Sequence, residues 1–274
     1  MKYHLGKCIE VYITNECNLT CSNCNRYNNY NFTGHYSPSI SQDAVKEWSK
    51  RITADKITII GGEPTLHPEI EQWIDLLCTS WPDIPVMIQT NGTIWKQDRI
   101  FSTAKKYKNL GFGVAIHTDS LTNQLQHKFG CHPDSIHFDP NSIPIFDATE
   151  FTECALVDND THFTTHTNVD SESSFKCCSM SHSHTLLNGK LYRCPMPAVL
   201  PEFRQQYDVR LTEEQHELLY SYKSLSHNCS DHDLAEFVAS RDTPLPQCKL
   251  CPGQYILSTV TFDIKRKKRP KLNQ

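Results

Sequence analysis

The stretch ITNECNLTCSNCNRY, residues 13–27, holds three cysteines at C-x3-C-x2-C spacing: Cys17, Cys21 and Cys24. A closed structural zinc site or a cubane iron–sulfur cluster ordinarily takes four protein ligands. The presence of only three cysteines in this stretch has two interpretations. Either a distant residue supplies the fourth ligand, or one metal corner is left open for another molecule.

The surrounding sequence alternates between strand and helix patterns. Strands are predicted at 8–14, 56–60, 85–92 and 112–118, and helices at 41–52, 68–81 and 97–111. Ser41 is the predicted N-cap of the first helix and Gly111 the predicted C-cap of the third. Repeated β-α-β units predict parallel strands with right-handed crossovers, and therefore a wound α/β sheet or barrel. The cysteine loop, GGEP (61–64), TNG (90–92) and HTDS (117–120) each follow a strand, where such folds bind their ligands.

Composition excludes several classes of protein. The 274 residues carry a formal net charge of −4, which argues against a nucleic-acid partner for the body of the chain. The basic run KRKKRPK (265–271) is typical of a solvated tail. No apolar run could cross a membrane and the N-terminus lacks a signal-peptide pattern, so we expect a cytoplasmic protein. In that compartment the 13 cysteines indicate metal binding rather than disulfides.

The second half of the chain follows a different pattern. Residues 177–253 are rich in Cys, His and Pro, and their clearest helical pattern is at 212–225. NGKLY (188–192) predicts a hairpin turn that brings Cys178 and Cys194 together. Three units are therefore predicted: a core at 1–165, a small Cys-rich lobe at 166–258, and a basic tail at 259–274.

CNLTCSNC followed by GGEPTLHPEI resembles the radical S-adenosylmethionine (radical SAM) superfamily. The resemblance implies a partial (β/α) barrel in which Cys17, Cys21 and Cys24 hold a [4Fe–4S] cluster. It also implies that the fourth iron takes the amino and carboxylate groups of SAM. An electron then breaks the sulfonium C–S bond, and the resulting 5′-deoxyadenosyl radical abstracts hydrogen from a substrate. An external one-electron donor such as flavodoxin or ferredoxin is implied as well.

The resemblance also assigns roles around the SAM site. Gly61 and Gly62 would let the backbone approach the methionyl ammonium, Glu63 would accept from it, and Pro64 would stiffen the turn. Thr90 and Asn91 would contact the methionine or ribose of SAM. His117 and Asp119 would reach SAM or substrate, with a solvent-facing or helix-capping role as the alternative for Asp119. An ordinary strand-to-helix turn and an Asn-Gly turn are the alternatives for the two motifs. The family usually has an aromatic residue just before the third cysteine, where this chain has Asn23.

The late cysteines resemble the SPASM or twitch lobe that carries an auxiliary cluster in many radical SAM enzymes. The resemblance implies a second [4Fe–4S] cluster on four cysteines: Cys178, Cys194, Cys248 and Cys251. Cys177 is an alternative to Cys178. A zinc staple on the same thiolates is the alternative site, in which His182 or His184 could substitute.

The leading functional hypothesis is a radical SAM oxidoreductase acting on a small polar metabolite, with a peptide or protein maturase as the alternative. The hypothesis from another class is a non-catalytic zinc-stapled binding protein. It needs a fourth ligand beside the early cysteines, and neither Cys8 nor His35 has ordinary zinc-site spacing.

Overall fold

The computed structural model describes residues 2–93, 106–116, 145–147 and 150–259, together with Ile100, Ser102 and Thr103. The strands of this part are β1 Tyr3–His4, β2 Cys8–Tyr12, β3 Ile52–Thr53, β4 Ile57–Ile60, β5 Val86–Thr90, β6 Leu110–Ile116, β7 Ile145–Asp147, β8 Glu150–Thr152, β9 Leu156–Asp158, β10 Phe163–Thr165, β11 Ser183–Leu187, β12 Lys190–Tyr192, β13 Leu225–Ser226 and β14 Leu257–Thr259. The helices are α1 Pro38–Arg51, α2 Ile70–Ser80, α3 Ser171–Lys176, α4 Pro195–Gln206, α5 Glu213–Tyr220 and α6 Asp231–Ala239.

The central feature is an eight-stranded sheet with the order β13-β12-β11-β2-β4-β5-β6-β7. The six strands from β11 to β7 pair in parallel, and the other two are antiparallel to their neighbours. The four strands predicted in the first half of the chain are β2, β4, β5 and β6, and they are neighbours in that order. The α/β fold with a wound parallel sheet is confirmed.

The two faces of the sheet differ in chemistry. Ile9 and Val11 of β2 belong to the main hydrophobic core, together with Trp48 of α1 and Trp73 of α2. Successive strand residues point to opposite faces, so Glu10 lies on the other face of β2. The helices therefore cover an apolar face, and the opposite face is left to line a cavity.

Two predicted helix boundaries are wrong. α1 begins at Pro38 rather than Ser41, and Ser41 is a buried residue inside the helix. Proline is favoured at the first helical position, and this signal determined the start. Gly111 lies within β6, paired with Met87 of β5, and is not a helix C-cap. Six of the 15 residues of the predicted helix at 97–111 lie outside the described residues.

The late segment continues the same sheet. β11 pairs in parallel with β2 on the side opposite β4. β11 and β12 form the predicted hairpin, with Asn188 and Gly189 at positive φ in its turn. Cys178 and Cys194 flank the hairpin rather than lying on its strands. The expected lobe is therefore joined to the expected core through backbone hydrogen bonds.

A second hydrophobic cluster joins the two halves of the chain. Phe203 and Leu200 of α4 are fully buried in it, against Tyr27 and Phe32 from the segment that follows the cysteine loop. The rings of Tyr27 and Phe203 lie 5.3 Å apart. The late segment is thus packed by apolar contacts as well as being rich in cysteine. No helix among the described residues is both long enough and apolar enough to span a bilayer.

Candidate functional site

A cavity of about 350 Å³ opens beside the three early cysteines. β2, β4 and β5 lead into it, as expected for a ligand site at the C-terminal ends of parallel strands. The predicted site residues that line this cavity are Cys17, Cys21, Cys24, Gly61, Gly62, Thr90 and Asn91. Residues from three separate segments are therefore brought together as predicted. His117 and Asp119 lie outside the described residues.

The cysteine loop presents three thiols to the cavity, and none of the three is in a disulfide. Burial raises the pKa of the Cys21 thiol to about 12, and it raises the pKa of Cys17 as well. The backbone N–H of Leu19 donates to Cys17 Sγ at 3.4 Å. No fourth cysteine is among the described lining residues, and Cys8 and His35 are not among them either. This donor set fits a cluster that is held by three thiolates and has one open corner.

Asn23, which departs from the family pattern before the third cysteine, has an unusual backbone conformation. Its φ is 57°, in the left-handed region. Asparagine tolerates this conformation better than an aromatic side chain does. Asparagine is therefore well suited to the backbone conformation of the turn into Cys24.

The two glycines of GGEP lie against the cysteine loop. A Cβ on Gly61 would lie 2.5 Å from the carbonyl oxygen of Thr14, and a Cβ on Gly62 would lie 2.2 Å from that of Glu16. The N–H of Gly62 donates to Thr14 O at 2.8 Å, and the N–H of Glu63 donates to Glu16 O at 2.7 Å. The glycines thus permit the close approach of two backbone segments within the protein itself.

Glu63 is fully buried and does not line the cavity in the described residues. Its Oε1 accepts from Thr65 N, Thr65 Oγ1 and Thr90 Oγ1, and its Oε2 accepts from Asn91 N. Burial raises its pKa despite these donors. Pro64 begins the short 3₁₀ turn Pro64–Leu66 and is likewise absent from the cavity lining. The carboxylate therefore connects the GGEP turn to the TNG turn.

Asn91 connects the TNG turn to the cysteine loop. Its Nδ2 donates to Asn18 Oδ1 at 2.9 Å, and its Oδ1 accepts from the N–H and the hydroxyl of Thr93. Thr90 Oγ1 donates to Glu63 and accepts from Gly92 N. Both side chains thus hold the turn in place at the cavity wall.

Sequence reasoning missed a buried ion pair in the same wall. Glu10 of β2 and Arg26, two residues after Cys24, form a salt bridge with side chains that are 8% and 9% exposed. Both line the cavity, as do Asn25, Asn28 and Gln89. A glutamate within the apolar strand CIEVYI is the signal that could have identified the pair, because carboxylates are rarely buried without a partner.

The predicted late ligands other than Cys248 line a smaller cavity of about 70 Å³. The cysteines that line it are Cys154, Cys177, Cys178, Cys194 and Cys251. Cys178 lies close enough to raise the pKa of Cys194, Cys248 and Cys251 electrostatically, in addition to the larger effect of burial. Cys177 likewise raises the pKa of Cys178 and Cys248 electrostatically. Cys154 was not predicted to be here.

Across the described ranges, no group of three or more His, Cys, Asp or Glu side chains is arranged to hold one metal ion. A cubane places each thiolate on its own iron. The relevant observation for a cluster is therefore a shared cavity rather than ligand atoms that converge on one point.

A protein-family model matches most of the first half of the chain. Residues 11–135 match the model described as the Radical SAM superfamily. This segment includes the cysteine loop and both turns described above, and the chain therefore carries a radical SAM domain.

Two curated relatives share part of this domain. The chain is 32% identical over 82 residues to a 7-carboxy-7-deazaguanine synthase from Aquifex aeolicus (strain VF5), covering 30% of this chain and 35% of that protein. It is 32% identical over 118 residues to a GTP 3',8-cyclase from Helicobacter pylori (strain ATCC 700392 / 26695), covering 41% of this chain and 35% of that one. The chain thus spans about a third of the length of these relatives, both of which are named as enzymes.

A solved structure extends the likeness to almost the whole chain. The structure of BtrN in complex with AdoMet and 2-DOIA matches with a TM-score of 0.50 and 18% identity, and covers 92% of this chain and 94% of that one. At this identity the match shows the fold. The likeness includes the late segment, which the family model leaves unmatched.

Proposed function

We propose that this protein is an enzyme that reductively cleaves SAM and abstracts hydrogen from a substrate C–H bond. The supporting observation is that three thiols, a glycine turn and the TNG turn surround one cavity at the strand ends. A [4Fe–4S] cluster bound there supplies the electron that breaks the C–S bond of SAM and so generates the hydrogen-abstracting radical.

The protein's own residues would hold and orient the two cofactors. Cys17, Cys21 and Cys24 are the ligands of the cluster. Gly61 and Gly62 keep the turn against the cysteine loop, so that backbone rather than side chains faces the methionyl end of SAM. Glu63 fixes this turn relative to Asn91, and we assign it a positioning role instead of direct contact with SAM. Burial of the loop limits the access of water to the reacting groups.

The late cysteines are proposed to hold a second [4Fe–4S] cluster through Cys178, Cys194, Cys248 and Cys251. The backbone N–H of Met180 donates to Cys178 Sγ at 3.3 Å, whereas the thiol of Cys177 donates to two backbone carbonyl oxygens, which supports Cys178 over Cys177. A matched pair of variants tests the choice. C178S should lose about half of the bound iron, whereas C177S should keep it. Zinc at one equivalent in anaerobically purified protein would instead support the staple.

The proposed substrate is a small polar molecule, and the proposed net reaction is its oxidation. The polar residues Glu10, Arg26 and Gln89 line the same cavity, which supports a polar substrate. The late cysteines would hold the second cluster as the one-electron acceptor that a net oxidation needs. An external one-electron donor such as flavodoxin or ferredoxin would supply the electron to the first cluster. Modification of a peptide is the alternative substrate class.

Anaerobic reconstitution tests the proposal. The wild type should be brown, bleach with dithionite, and form 5′-deoxyadenosine from SAM under reducing conditions. Cys21→Ala should abolish 5′-deoxyadenosine while the late site keeps its metal. Cys229→Ala is the matched control, since Cys229 lies outside both cavities. Colourless zinc protein, or a C21A variant that still cleaves SAM, would contradict the proposal.

A further inference from the structure

The ion pair between Glu10 and Arg26 has no part in the chemistry proposed above. Counted over the whole residue, backbone included, Glu10 is 6% exposed and Arg26 is 7% exposed. Burying two charges costs free energy that their attraction offsets only with good geometry, and an apolar pair of similar volume is often at least as stable. Stability alone therefore does not account for an ion pair in the wall of the cavity.

The pair retains unused hydrogen-bonding capacity. Arg26 Nη2 donates to Oε2 of Glu10, and Nη1 donates to Asn25 Oδ1 at 2.8 Å. Within the described residues, Oε1 of Glu10 accepts no hydrogen bond and the buried Nε of Arg26 has no partner. Because Glu10 lines the cavity, its Oε1 has a free acceptor position that a donor group of a bound molecule would fill.

Gln89 is a second polar group in the cavity wall, and it is only partly buried. It lies on β5, lines the same cavity, and its side-chain amide makes no hydrogen bond to any described residue. β4 lies between β2 and β5, and neighbouring strands are about 5 Å apart. Glu10 is level with Met87 of β5, and Gln89 lies two residues further along that strand, so the Cα atoms of Glu10 and Gln89 are about 12 Å apart. This span suits a molecule about as large as a monosaccharide.

We propose that Glu10, held in place by Arg26, and Gln89 determine substrate specificity. The substrate is a small molecule whose hydroxyl or ammonium group donates a hydrogen bond to Glu10, while a second polar substituent meets Gln89. An anionic group is disfavoured because Glu10 neutralises Arg26 and presents its own carboxylate. This inference rests on the proposed function, which places the reacting C–H bond in this cavity.

Saturation-transfer NMR with three probes tests the inference. The probes are myo-inositol, D-glucosamine and D-glucose 6-phosphate, at millimolar concentration. Inositol offers hydroxyls alone and glucosamine adds an ammonium, so their ranking identifies the donor. We expect one or both to bind the wild type, and Glu10→Gln to weaken that binding about tenfold or more, because a hydrogen bond to a charged group is lost. Gln89→Met should weaken it as well.

Two further variants separate binding from folding. The E10Q variant leaves a buried guanidinium unpaired. The double variant E10Q/R26Q removes both charges, and its probe binding is compared with that of the wild type at a temperature at which both proteins are fully folded. Lys50→Gln, at an exposed ion pair on α1, is the control. Wild-type binding by E10Q/R26Q, no transfer from inositol or glucosamine, or tightest binding of glucose 6-phosphate would each overturn the inference.

The two proposals can fail separately. If the wild type cleaves SAM but the probes bind E10Q and Q89M as they bind wild type, only the specificity assignment fails. If the wild type does not form 5′-deoxyadenosine, the proposed function fails whatever the probes show.

Discussion

The carboxylate of Glu63 accepts a hydrogen bond from the backbone N–H of Asn91 at 2.7 Å, which joins the turn after β4 to the turn after β5. Three further donors, from Thr65 and Thr90, complete its coordination. A glutamate that sequence comparison would assign to cofactor contact thus holds together two walls of the cavity.

We expect Glu63→Gln to lower the free energy of unfolding by about 2 kcal/mol, because a buried amide NH2 would face donors instead of accepting from them. It should also weaken SAM binding, since the TNG turn loses its anchor. Urea denaturation and equilibrium dialysis with SAM measure the two effects. Wild-type values for both would show that the Asn91 contact does not position the turn.

A substitution at Gly62 should displace the cysteine loop. The new Cβ of Gly62→Ala would lie 2.2 Å from the carbonyl oxygen of Glu16, a contact that only backbone movement can relieve. We expect a loss of about 3 kcal/mol in stability and a lower iron content after reconstitution. Gly111→Ala is the control, because no heavy atom lies within 4 Å of its added Cβ. Equal iron content in the two variants would contradict the close approach.

The hydroxyl of Tyr36 donates to Glu202 of α4, and Asn15 Nδ2 donates to the same hydroxyl at 3.3 Å. Burial is the main reason that the pKa of Tyr36 is raised, so the phenol is the donor in this pair. A double-mutant cycle with Tyr36→Phe and Glu202→Gln should give a coupling free energy of about 1–2 kcal/mol. Additive effects on unfolding would mean that this contact does not join α4 to the segment after the cysteine loop.

The strand–helix order was predictable because it depends on local patterns. β-branched runs and turn residues in the sequence predicted the four parallel strands, and their order fixed the edge where the motifs meet. The start of α1 also has a local signal, the proline at position 38. The prediction favoured Ser41 as the N-cap and therefore placed the start too late.

Contacts between distant segments could not be predicted in this way. The pairing of β11 with β2 joins residues that are about 175 positions apart, and no periodicity in either strand specifies the partner. The hydrogen bonds of Glu63 and the pairing of Glu10 with Arg26 likewise exist only after the turns have been placed. The position of Cys154 beside the late cysteines also depends on contacts between distant segments, and it was not predictable for the same reason.

His184 on β11 should make the stability of the protein fall in mild acid. The side chain is 2% exposed and its Nδ1 has no hydrogen-bond partner among the described residues. Burial lowers its pKa from 6.5 to about 4, assisted by the positive charges of Arg193 and Arg241. In the unfolded chain the imidazole of His184 therefore binds a proton below pH 6.5, whereas in the folded chain it binds one only as the pH approaches 4.

This linkage destabilises the native state progressively as the pH falls from 6.5 to 4, by about 2 kcal/mol at pH 5 from this group alone. In His184→Gln that contribution is absent, so the difference in unfolding free energy between wild type and variant should change by this amount between pH 7.5 and pH 5. Urea denaturation at a series of pH values measures it, with the exposed His232→Gln as control. A difference between wild type and H184Q that stays constant with pH would show that His184 takes up a proton as readily in the folded chain as in the unfolded one.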